Sequence, residues 1–338
     1  MRILFIVKKQ RFGYSGGGPS SGLYNSAKFV VDMLRNIDVH AKLVLVTDNN
    51  DIDREVNQFR PRIVIIEALW VEPNKFHHLV KLHPSVKWVV RNHSAMPFLA
   101  HEGMALDWIF RYLERRHVEV GCNDGHTRRE IQVLANARGI EKHISYLPNY
   151  YPPFFHPRHH NPSLMRVVNV ACFGAIRPLK NQLMQAVAAI CYGERVGKSI
   201  HFHINTERVE CDGEPILRNI RALFRNEPRH KLIEHPWLER EQFIALVRTM
   251  DLGMQVSFSE TFNIITADFV MNSVPVVVSR QISWVSDHFW AIPTDSLDIA
   301  HKIERAVHHH NDDSVHSLQL RDAEAVLAWE QFIDRHRQ

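Results

Sequence analysis

The chain has 338 residues, of which 45% are hydrophobic and 23% are charged, a balance typical of soluble globular proteins. This length allows two domains of ordinary size, each with its own core. The sequence contains no apolar run near the roughly 20 residues that cross a bilayer, and its four cysteines include no C-x-x-C pair. The composition therefore excludes a membrane-spanning protein and a disulfide framework, and it predicts a protein of the reducing cytoplasm.

The net charge of +4 is unevenly distributed. Residues 1–150 contain 21 Lys and Arg against 15 Asp and Glu, whereas residues 151–338 contain 20 against 22. A basic first half attracts an anionic partner such as a polynucleotide, an acidic membrane surface or an acidic glycan. A solvated basic face is the more ordinary explanation for an excess of this size.

Predicted strands and helices alternate through the first half. Strands are predicted at residues 2–7, 42–47, 62–69, 86–91 and 118–123, and helices at residues 20–35, 104–116 and 126–137. The first apolar run is predicted to be a strand and not a signal peptide, because Lys8 and Lys9 follow without a cleavage site. Apolar runs separated by helices predict a parallel sheet covered on both faces, with ligands beyond the carboxyl ends of its strands.

Two of these strand ends carry candidate binding residues. Gly16, Gly17 and Gly18 follow the first strand, and glycine lets the backbone approach a phosphate or a sugar at the start of the next helix. The loop fits neither the dinucleotide fingerprint nor the P-loop, and a flexible turn is an equal alternative. His93 follows the fourth strand, where a neutral imidazole can exchange hydrogen bonds with a sugar hydroxyl or serve as a hydrogen-bonded core residue.

An aromatic and basic stretch surrounds the end of the fourth strand. Residues 95–103 are predicted to form a loop, and the helix after it is rich in aromatic residues and arginine. Such side chains stack on rings and pair with phosphates. The candidates for an acceptor surface are Arg91, His101, Trp108 and Arg111. An amphipathic helix with a solvated basic face explains the same pattern.

No metal site is predicted. Asp51 and Asp53 form a D-x-D pair, but they stand at a predicted helix start, where acids act as caps. The histidine tracts around residues 156–160 and 308–310 lack carboxylate or cysteine partners nearby in the sequence. They are predicted to be solvated surface histidines.

A proline-rich linker divides the chain. Residues 151–162 contain four prolines, which predicts a boundary between a first domain, residues 1–153, and a second domain, residues 163–321. In the second domain, strands are predicted at residues 166–173, 199–205, 231–234 and 252–256, and helices at residues 182–192, 216–224 and 239–250. The tail is predicted to be helical over residues 314–333.

The first strand of the second half leads into a loop that contains two cations. Gly174, Arg177, Lys180 and Asn181 occupy the turn before the helix at residues 182–192. Two cations beside a helix N-terminus suit the diphosphate group of a nucleotide. A surface turn is the alternative interpretation.

A second segment carries the remaining candidates. A helical stretch is predicted from Glu260 to about residue 272, between two buried strands. Its first-turn amides would bind an anion such as a diphosphate. The candidate residues here are Glu260, Phe262, Asn263, Ile264 and Asp268.

These two segments resemble the donor-binding signature of the GT-B retaining glycosyltransferases of group 1, the family 4-like enzymes. That signature combines a glycine loop ending in Lys-Asn with Glu-x-Phe-Gly, a second acid, and Gly-x-Pro-Val. Asn263 and Ser273 stand where the family has glycine, and Asp268 stands where it has glutamate. The resemblance covers the chain loosely in its first half and closely from Gly174 to Val278.

The resemblance implies a fold and a set of roles. The fold is GT-B, two Rossmann-like doubly wound α/β domains facing across a cleft, with a final helix at about residues 322–338 that crosses back onto the first domain. The co-substrate that the resemblance implies is a UDP-linked nucleotide-diphosphate sugar, and no metal is required. Arg177 and Lys180 neutralise the departing diphosphate, Asp268 holds the ribose, and the remaining donor contacts come from His93, Glu260, the glycine loop and the amides near residue 263.

The predicted function is therefore transfer of a sugar with retention at the anomeric carbon. Two acceptors stay open: a 5-hydroxymethylated pyrimidine in DNA, as in virus-encoded enzymes of the host cytoplasm, and a polysaccharide, lipid-linked glycan or small molecule. The departures at Asn263, Ser273 and Asp268 also leave open a non-catalytic binding protein of the same fold. A nicotinamide dehydrogenase is set aside because its glycine fingerprint is missing.

Overall fold

The computed structural model describes residues 1–9, 22–101, 103–157, 165–309 and 312–337. These residues form two compact units. The first unit contains the described residues of 1–9, 22–152 and 321–337, and the second contains those of 153–320. The predicted glycine loop, Gly16, Gly17 and Gly18, lies outside the described residues.

The first unit is built on a six-stranded parallel sheet. Its strands are β1 (Arg2–Lys8), β2 (His40–Val46), β3 (Ile63–Glu67), β4 (Lys87–Asn92), β5 (Val118–Cys122) and β6 (Ser145–Tyr146). Their order in the sheet is β2-β1-β3-β4-β5-β6. All five residues of β3 are buried, because helices cover both faces of the sheet and leave no polar side to the strand.

Helices surround this sheet. They are α1 (Gly22–Asn36), α2 (Asp51–Phe59), α3 (Lys75–Leu82), α4 (Met96–His101), α5 (Ala105–Leu113) and α6 (Gly125–Ala137). The prediction of a loop over residues 95–103 is wrong, since α4 occupies most of it. Pro97 is tolerated there because it stands in the first turn, and Leu99 buries its side chain in the core of the unit.

The last helix, α12 (Asp312–Arg335), supplies part of the first unit's core from residue 321 onward. Trp329, Phe332 and Ile333 are buried in it. The Trp329 ring lies 5.7 Å from the ring of Phe5, and its Nε1 donates to the Pro148 carbonyl over 3.0 Å. The chain's final turns therefore pack against its first strand.

A buried acid on α12 makes stability depend on pH. Asp322 accepts the amide of Tyr151 over 2.9 Å, and burial raises the pKa of Asp322 to about 7, although that amide and Arg321 act in the opposite direction. Because the folded pKa exceeds the unfolded value, folding favours the protonated form. The contribution of Asp322 to the free energy of unfolding is therefore fully present below about pH 4. It falls by up to about 1.4 kcal/mol per pH unit as the pH rises toward 7.

We expect Asp322→Asn to remove this pH dependence, because the amide oxygen can still accept from Tyr151 and carries no charge. Urea unfolding at pH 5 and pH 8 should show that the variant gains stability relative to the wild type as the pH rises. Asp334→Asn is the matched control, since its side chain on the same helix is 65% exposed. A difference between wild type and Asp322→Asn that stays constant with pH would contradict the prediction.

The second unit contains the other six-stranded sheet. Its strands are β7 (Val167–Ala171), β8 (Ser199–Asn205), β9 (Lys231–His235), β10 (Leu252–Gln255), β11 (Val276–Ser279) and β12 (Trp290–Ala291). Its helices are α7 (Gln182–Val196), α8 (Glu214–Leu223), α9 (Arg240–Val247), α10 (Ile264–Met271) and α11 (Ser296–Ala306). The strand order is β12-β11-β10-β7-β8-β9, which is the Rossmann order with its switch point between β7 and β10.

The predicted fold class is confirmed, since both sheets are parallel and doubly wound. The buried Val, Ile and Leu runs explain this, because strands covered on both faces carry no alternating polar residues. Among the described residues, none of the helices combines the length and the apolar character that crossing a bilayer requires.

Candidate functional site

The switch point of the second unit brings Lys180 and Glu260 together. Lys180 follows β7 and Glu260 follows β10, and these adjacent strands end at the same edge of the sheet. Lys180 Nζ donates to Glu260 Oε1 in a short salt bridge. The side chains are only 11% and 10% exposed. Two residues 80 positions apart in the chain thus form one polar group at the place where ligands bind in such sheets.

The ammonium group of Lys180 is largely shielded from solvent. Burial lowers the pKa of Lys180, Glu260 opposes that shift, and Arg177 adds to it. An ammonium with this arrangement gains from any further anion, because a second negative group offsets both its desolvation and the repulsion from Arg177.

Arg177 contacts an acid that the sequence analysis missed. Its Nη1 lies 3.7 Å from Glu210 Oε2, and Glu210 also accepts from Arg208. A bridge between Ile176 and Val209 holds the two loops side by side. The guanidinium therefore sits in a charged cluster with one acid and two arginines, which has an excess of positive charge.

Gly174 and Asn181 shape the loop that carries these cations. Gly174 has φ of 118°, and its amide donates to Asn205 Oδ1 over 3.1 Å. Asn181 has φ of 58°, and its Nδ2 donates to the carbonyls of Val256 and Pro293 over 3.0 Å and 2.8 Å. The Asn181 side chain thus binds backbone carbonyls and links the loop after β7 to the end of β10.

The segment after β10 differs from its prediction at one end. The helix begins at Ile264 and not at Glu260, because Asn263 adopts the left-handed region with φ of 58° and caps the helix. Asn263 Oδ1 accepts the Thr266 amide over 2.9 Å, and its Nδ2 donates to Gln255 Oε1 over 2.9 Å. Glu260 consequently lies in the loop.

The same geometry explains two departures from the glycosyltransferase signature. Asn263 and Ser273 stand where that family has glycine, and both have positive φ, 58° and 56°. Asparagine tolerates this region better than most residues. The Ser273 hydroxyl donates to the His156 carbonyl over 2.8 Å. The backbone that glycine would adopt is therefore kept without glycine.

We expect Asn263→Ala to lower the free energy of unfolding by about 2 kcal/mol, because alanine loses the helix cap and is strained at positive φ. Asn263→Gly should lose clearly less, since glycine adopts this φ without strain. Urea unfolding of the two variants measures the difference. Equal losses for alanine and glycine would contradict the argument from backbone conformation.

Phe262 and Ile264 flank this cap. Phe262 is buried, its ring lies 5.8 Å from that of Trp284, and its carbonyl accepts Trp284 Nε1 over 2.7 Å. Its side chain therefore supports the loop from the core. Ile264 is the first residue of α10, and amides in a first helical turn lack acceptors within the helix.

Asp268 forms an ion pair with Arg240, which the sequence analysis did not single out. Asp268 is 1% exposed. Arg240 Nη1 donates to its Oδ2 over 2.7 Å, and Nη2 makes a shorter bond to Oδ1. The predicted ribose contact of Asp268 stays a prediction.

A buried triad occupies the carboxyl ends of β3 and β4 in the first unit. Glu67, the last residue of β3, accepts two bonds of 3.1 Å from Arg91 Nη1 and a short bond from His93 Nε2. Glu67 and Arg91 have no exposed area. Burial alone would raise the pKa of Glu67, but Arg91 and His93 outweigh it and hold that pKa below its ordinary value.

The prediction that Arg91 belongs to an acceptor surface is wrong, because the side chain is fully buried. Its remaining donors bind the carbonyls of Leu147 and Pro148 over 2.8 Å and 2.9 Å and Asn149 Oδ1 over 2.6 Å. Arg91 thus links β4 to the segment that directly follows β6.

His93 is oriented by Glu67. Burial lowers the pKa of His93, and Arg91 adds to this effect while Glu67 opposes it. A neutral imidazole that donates from Nε2 to Glu67 carries no proton on Nδ1. Glu67 was missed at the sequence level, although an acid that ends the apolar run of β3 was a usable signal.

The other acceptor candidates lie on α4 and α5. His101 is exposed at the end of α4, and Trp108 is half-buried against the core. Arg111 Nη2 donates to Asn74 Oδ1 over 2.9 Å. These three side chains stay candidates, with Arg111 already engaged by a neighbouring loop.

Metal-ligating clusters of three or more His, Cys, Asp or Glu do not occur in the described part of the chain. In the D-x-D pair, Asp51 Oδ2 accepts the Thr47 amide over 2.9 Å, and Asp53 Oδ1 pairs with His83 over 2.7 Å. Both acids thus have structural partners at the start of α2.

Comparisons with known proteins support the fold. No protein-family model matches the chain, and no curated protein matches it. The solved structures that resemble it include a UDP-forming α,α-trehalose-phosphate synthase from Burkholderia vietnamiensis, with 10% identity, a TM-score of 0.70, and coverage of 100% of this chain and 97% of that one.

Two further similar structures are complexes with ligands. An E. coli structure, trehalose-6-phosphate bound with UDP-2-fluoro glucose, has 11% identity and a TM-score of 0.67, covering 100% of this chain and 99% of that one. HepE from Anabaena, in complex with UDP and glucose, has 14% identity and a TM-score of 0.63, covering 99% and 98%. At these identities the likeness shows the GT-B fold of two Rossmann-like domains.

Proposed function

We propose that this protein is a glycosyltransferase that takes a sugar from a nucleotide-diphosphate donor. The observation that carries the proposal is the Lys180–Glu260 pair at the switch point of the second sheet. A cation there suits a diphosphate, and an acid beside it suits sugar hydroxyls. Two structures of the same fold are complexes, one with UDP-2-fluoro glucose and one with UDP and glucose. This favours a UDP-linked donor.

The reaction that fits this site is transfer with retention. The bond between the anomeric carbon and the diphosphate oxygen breaks, a bond from the acceptor oxygen forms on the same face, and the acceptor's proton passes to the departing diphosphate. Lys180 and Arg177 stabilise the negative charge that develops on that leaving group. Because two cations serve this role, no metal is required, and a chelator should leave the rate unchanged.

The remaining donor contacts follow from their positions. Glu260, held by Lys180, accepts from sugar hydroxyls, and Asp268 accepts from the ribose while paired with Arg240. The predicted sugar contact of His93 stays a prediction. Gly174 and Asn181 fix the loop, and the first-turn amides near Ile264 suit the phosphates.

The donor is tested by thermal unfolding with UDP-, ADP- and GDP-sugars. The matching nucleotide sugar should raise Tm with a dependence on its concentration, because a ligand that binds only the folded state stabilises it. Release of the nucleotide diphosphate, with retained configuration in the sugar product, would then support catalysis. Absence of both stabilisation and donor turnover with all nucleotide sugars would refute the proposal, and binding without turnover would favour a non-catalytic binding protein.

Two acceptor classes stay open in this proposal. The basic first half favours a 5-hydroxymethylated pyrimidine in DNA, whereas the burial of Arg91 removes one of the residues that suggested it. The alternative is a hydroxyl of a polysaccharide, a lipid-linked glycan or a small molecule. Radiolabelled sugar should enter hydroxymethylated duplex and not unmodified duplex under the first hypothesis, and DNA binding should weaken steeply with salt.

A further inference from the structure

The opposite edge of the first unit's sheet carries a second group of cations. Four basic side chains, Lys87, Arg116, Lys142 and Arg335, line a cavity of about 380 Å³ with a single acid, Glu119. Lys87 is the first residue of β4, whereas His93 follows its last residue. A strand of this length spans about 17 Å, so this cavity, here called the basic pocket, is remote from the Glu67–His93 group.

The charges of the basic pocket do not balance. Glu119 is bound by Lys87 over 2.8 Å and by His336 over 3.2 Å. Burial alone would raise the pKa of Glu119, but His336 and Lys87 hold it at about 2. The acid is therefore ionised at neutral pH and neutralises one of four cations. Three positive charges remain around one cavity.

Lys142 is held in place by the backbone. Its Nζ donates to the Val118 carbonyl over 3.3 Å and makes a shorter bond to the Arg115 carbonyl. An ammonium has three N–H groups, so one donor remains beyond these two bonds. Burial lowers the pKa of Lys142 to about 8, with Lys87 acting in the same direction and Glu119 against it. A further anion would relieve this penalty.

The shape of the site indicates the size of its ligand. A second cavity, of about 640 Å³, shares Lys142 and His143 with the basic pocket and adds one cation, Arg128, and one acid, Glu141, so it leaves the excess of positive charge unchanged. Ser145 lines the basic pocket and already accepts Arg335 Nη2 over 3.3 Å. Volumes of a few hundred Å³ are typical of small-molecule sites. Such a volume is larger than a single inorganic ion occupies.

We propose that the basic pocket binds a small molecule with two or more phosphate groups, at a site separate from the donor site. The anchoring groups are Lys142 and Arg116, and Lys87 and Arg335 line the same cavity. Multiply charged oxyanions match an excess of three cations and gain charge-assisted hydrogen bonds from both lysine and arginine. The inference does not depend on the proposed glycosyltransferase activity.

The test is calorimetric titration of the whole chain with inorganic diphosphate, with inorganic phosphate as the weaker probe. Because Lys180 and Arg177 also suit a diphosphate, the wild type should show two sites. Lys142→Met should remove one site and keep the other, whereas Lys180→Met should do the reverse. Arg116→Gln should weaken the first site about tenfold, and it is an exposed residue whose loss leaves the fold intact.

Two more variants sharpen the result. Glu119→Gln should bind diphosphate at least threefold tighter, because it removes the only acid of the pocket, an effect that structural damage would not produce. Arg54→Gln is the control, since Arg54 is an exposed arginine of the same unit, paired with Asp51. The proposal is overturned if Lys142→Met and Arg116→Gln leave every diphosphate site intact, or if duplex DNA binds the pocket in preference to diphosphate.

Discussion

Replacement of Lys180 by methionine is expected to reduce the rate of sugar transfer by about 10²–10³-fold, because it removes a preorganised cation from the departing diphosphate. Lys180 contacts Glu260 and is nearly buried, so water cannot replace its charge effectively. The loss should fall on kcat more than on KM, since charge on the leaving group grows in the transition state. Initial rates at several donor concentrations measure this division.

A loss of stability must be separated from this loss of rate. Lys180→Met leaves the Glu260 carboxylate without its partner in a partly buried place, which destabilises the fold. The double variant Lys180→Met/Glu260→Gln should recover stability without recovering activity. Lys231→Met, at the exposed start of β9, is the control. If Lys180→Met turned over donor at the wild-type rate, the proposed role of the β7 loop would be wrong.

Arg91→Met is expected to lower the free energy of unfolding by about 3–5 kcal/mol, the cost of leaving a buried charge without its partner. Arg91 binds Glu67, two backbone carbonyls and Asn149, and neither charged side chain is exposed. Chemical unfolding measures the loss. Arg54→Met removes the ion pairs that this exposed arginine makes with Asp51 and Glu55, and it should change stability by less than about 1 kcal/mol.

The same group should make the first unit sensitive to acid. The folded pKa of Glu67 is below its unfolded value, so its stabilisation is present above about pH 4.5 and is lost as the pH falls further. The folded pKa of His93 is also lowered, so its protonation adds to the loss below about pH 6.5. The double variant Arg91→Met/Glu67→Gln should unfold with a weaker dependence on pH in this range. Equal acid sensitivity in both proteins would contradict this assignment.

The parts of the site that sequence could predict are those fixed by local spacing. Lys180 and Glu260 were singled out because each follows an apolar strand, and adjacent parallel strands bring their carboxyl ends together. The sheets were predictable for the same reason, since runs such as that of β3 carry no polar alternation. Boundaries shifted where one residue's backbone decided them, as Asn263 does for α10.

The partners of these residues were not predictable, because they come from elements that are distant in the sequence. Glu67 meets Arg91 only through the pairing of β3 with β4, and Arg240 meets Asp268 across 28 positions of sequence. Arginine is usually a surface residue, and the sequence alone gave no reason to bury Arg91. The fold supplies the carbonyls and the carboxylate that allow its guanidinium to be buried.

The packing of Trp329 has a consequence for synthesis on the ribosome. The guanidinium of Arg91 lies 5.4 Å from the centre of the Trp329 ring, and the same ring packs on Phe5. The hydrophobic core that contains Phe5 therefore cannot close until Trp329 and Phe332 have left the exit tunnel. Domains made this way cannot follow the usual order in which the N-terminal part folds first during translation, and nascent chains stalled before residue 321 should stay sensitive to protease in their opening segment.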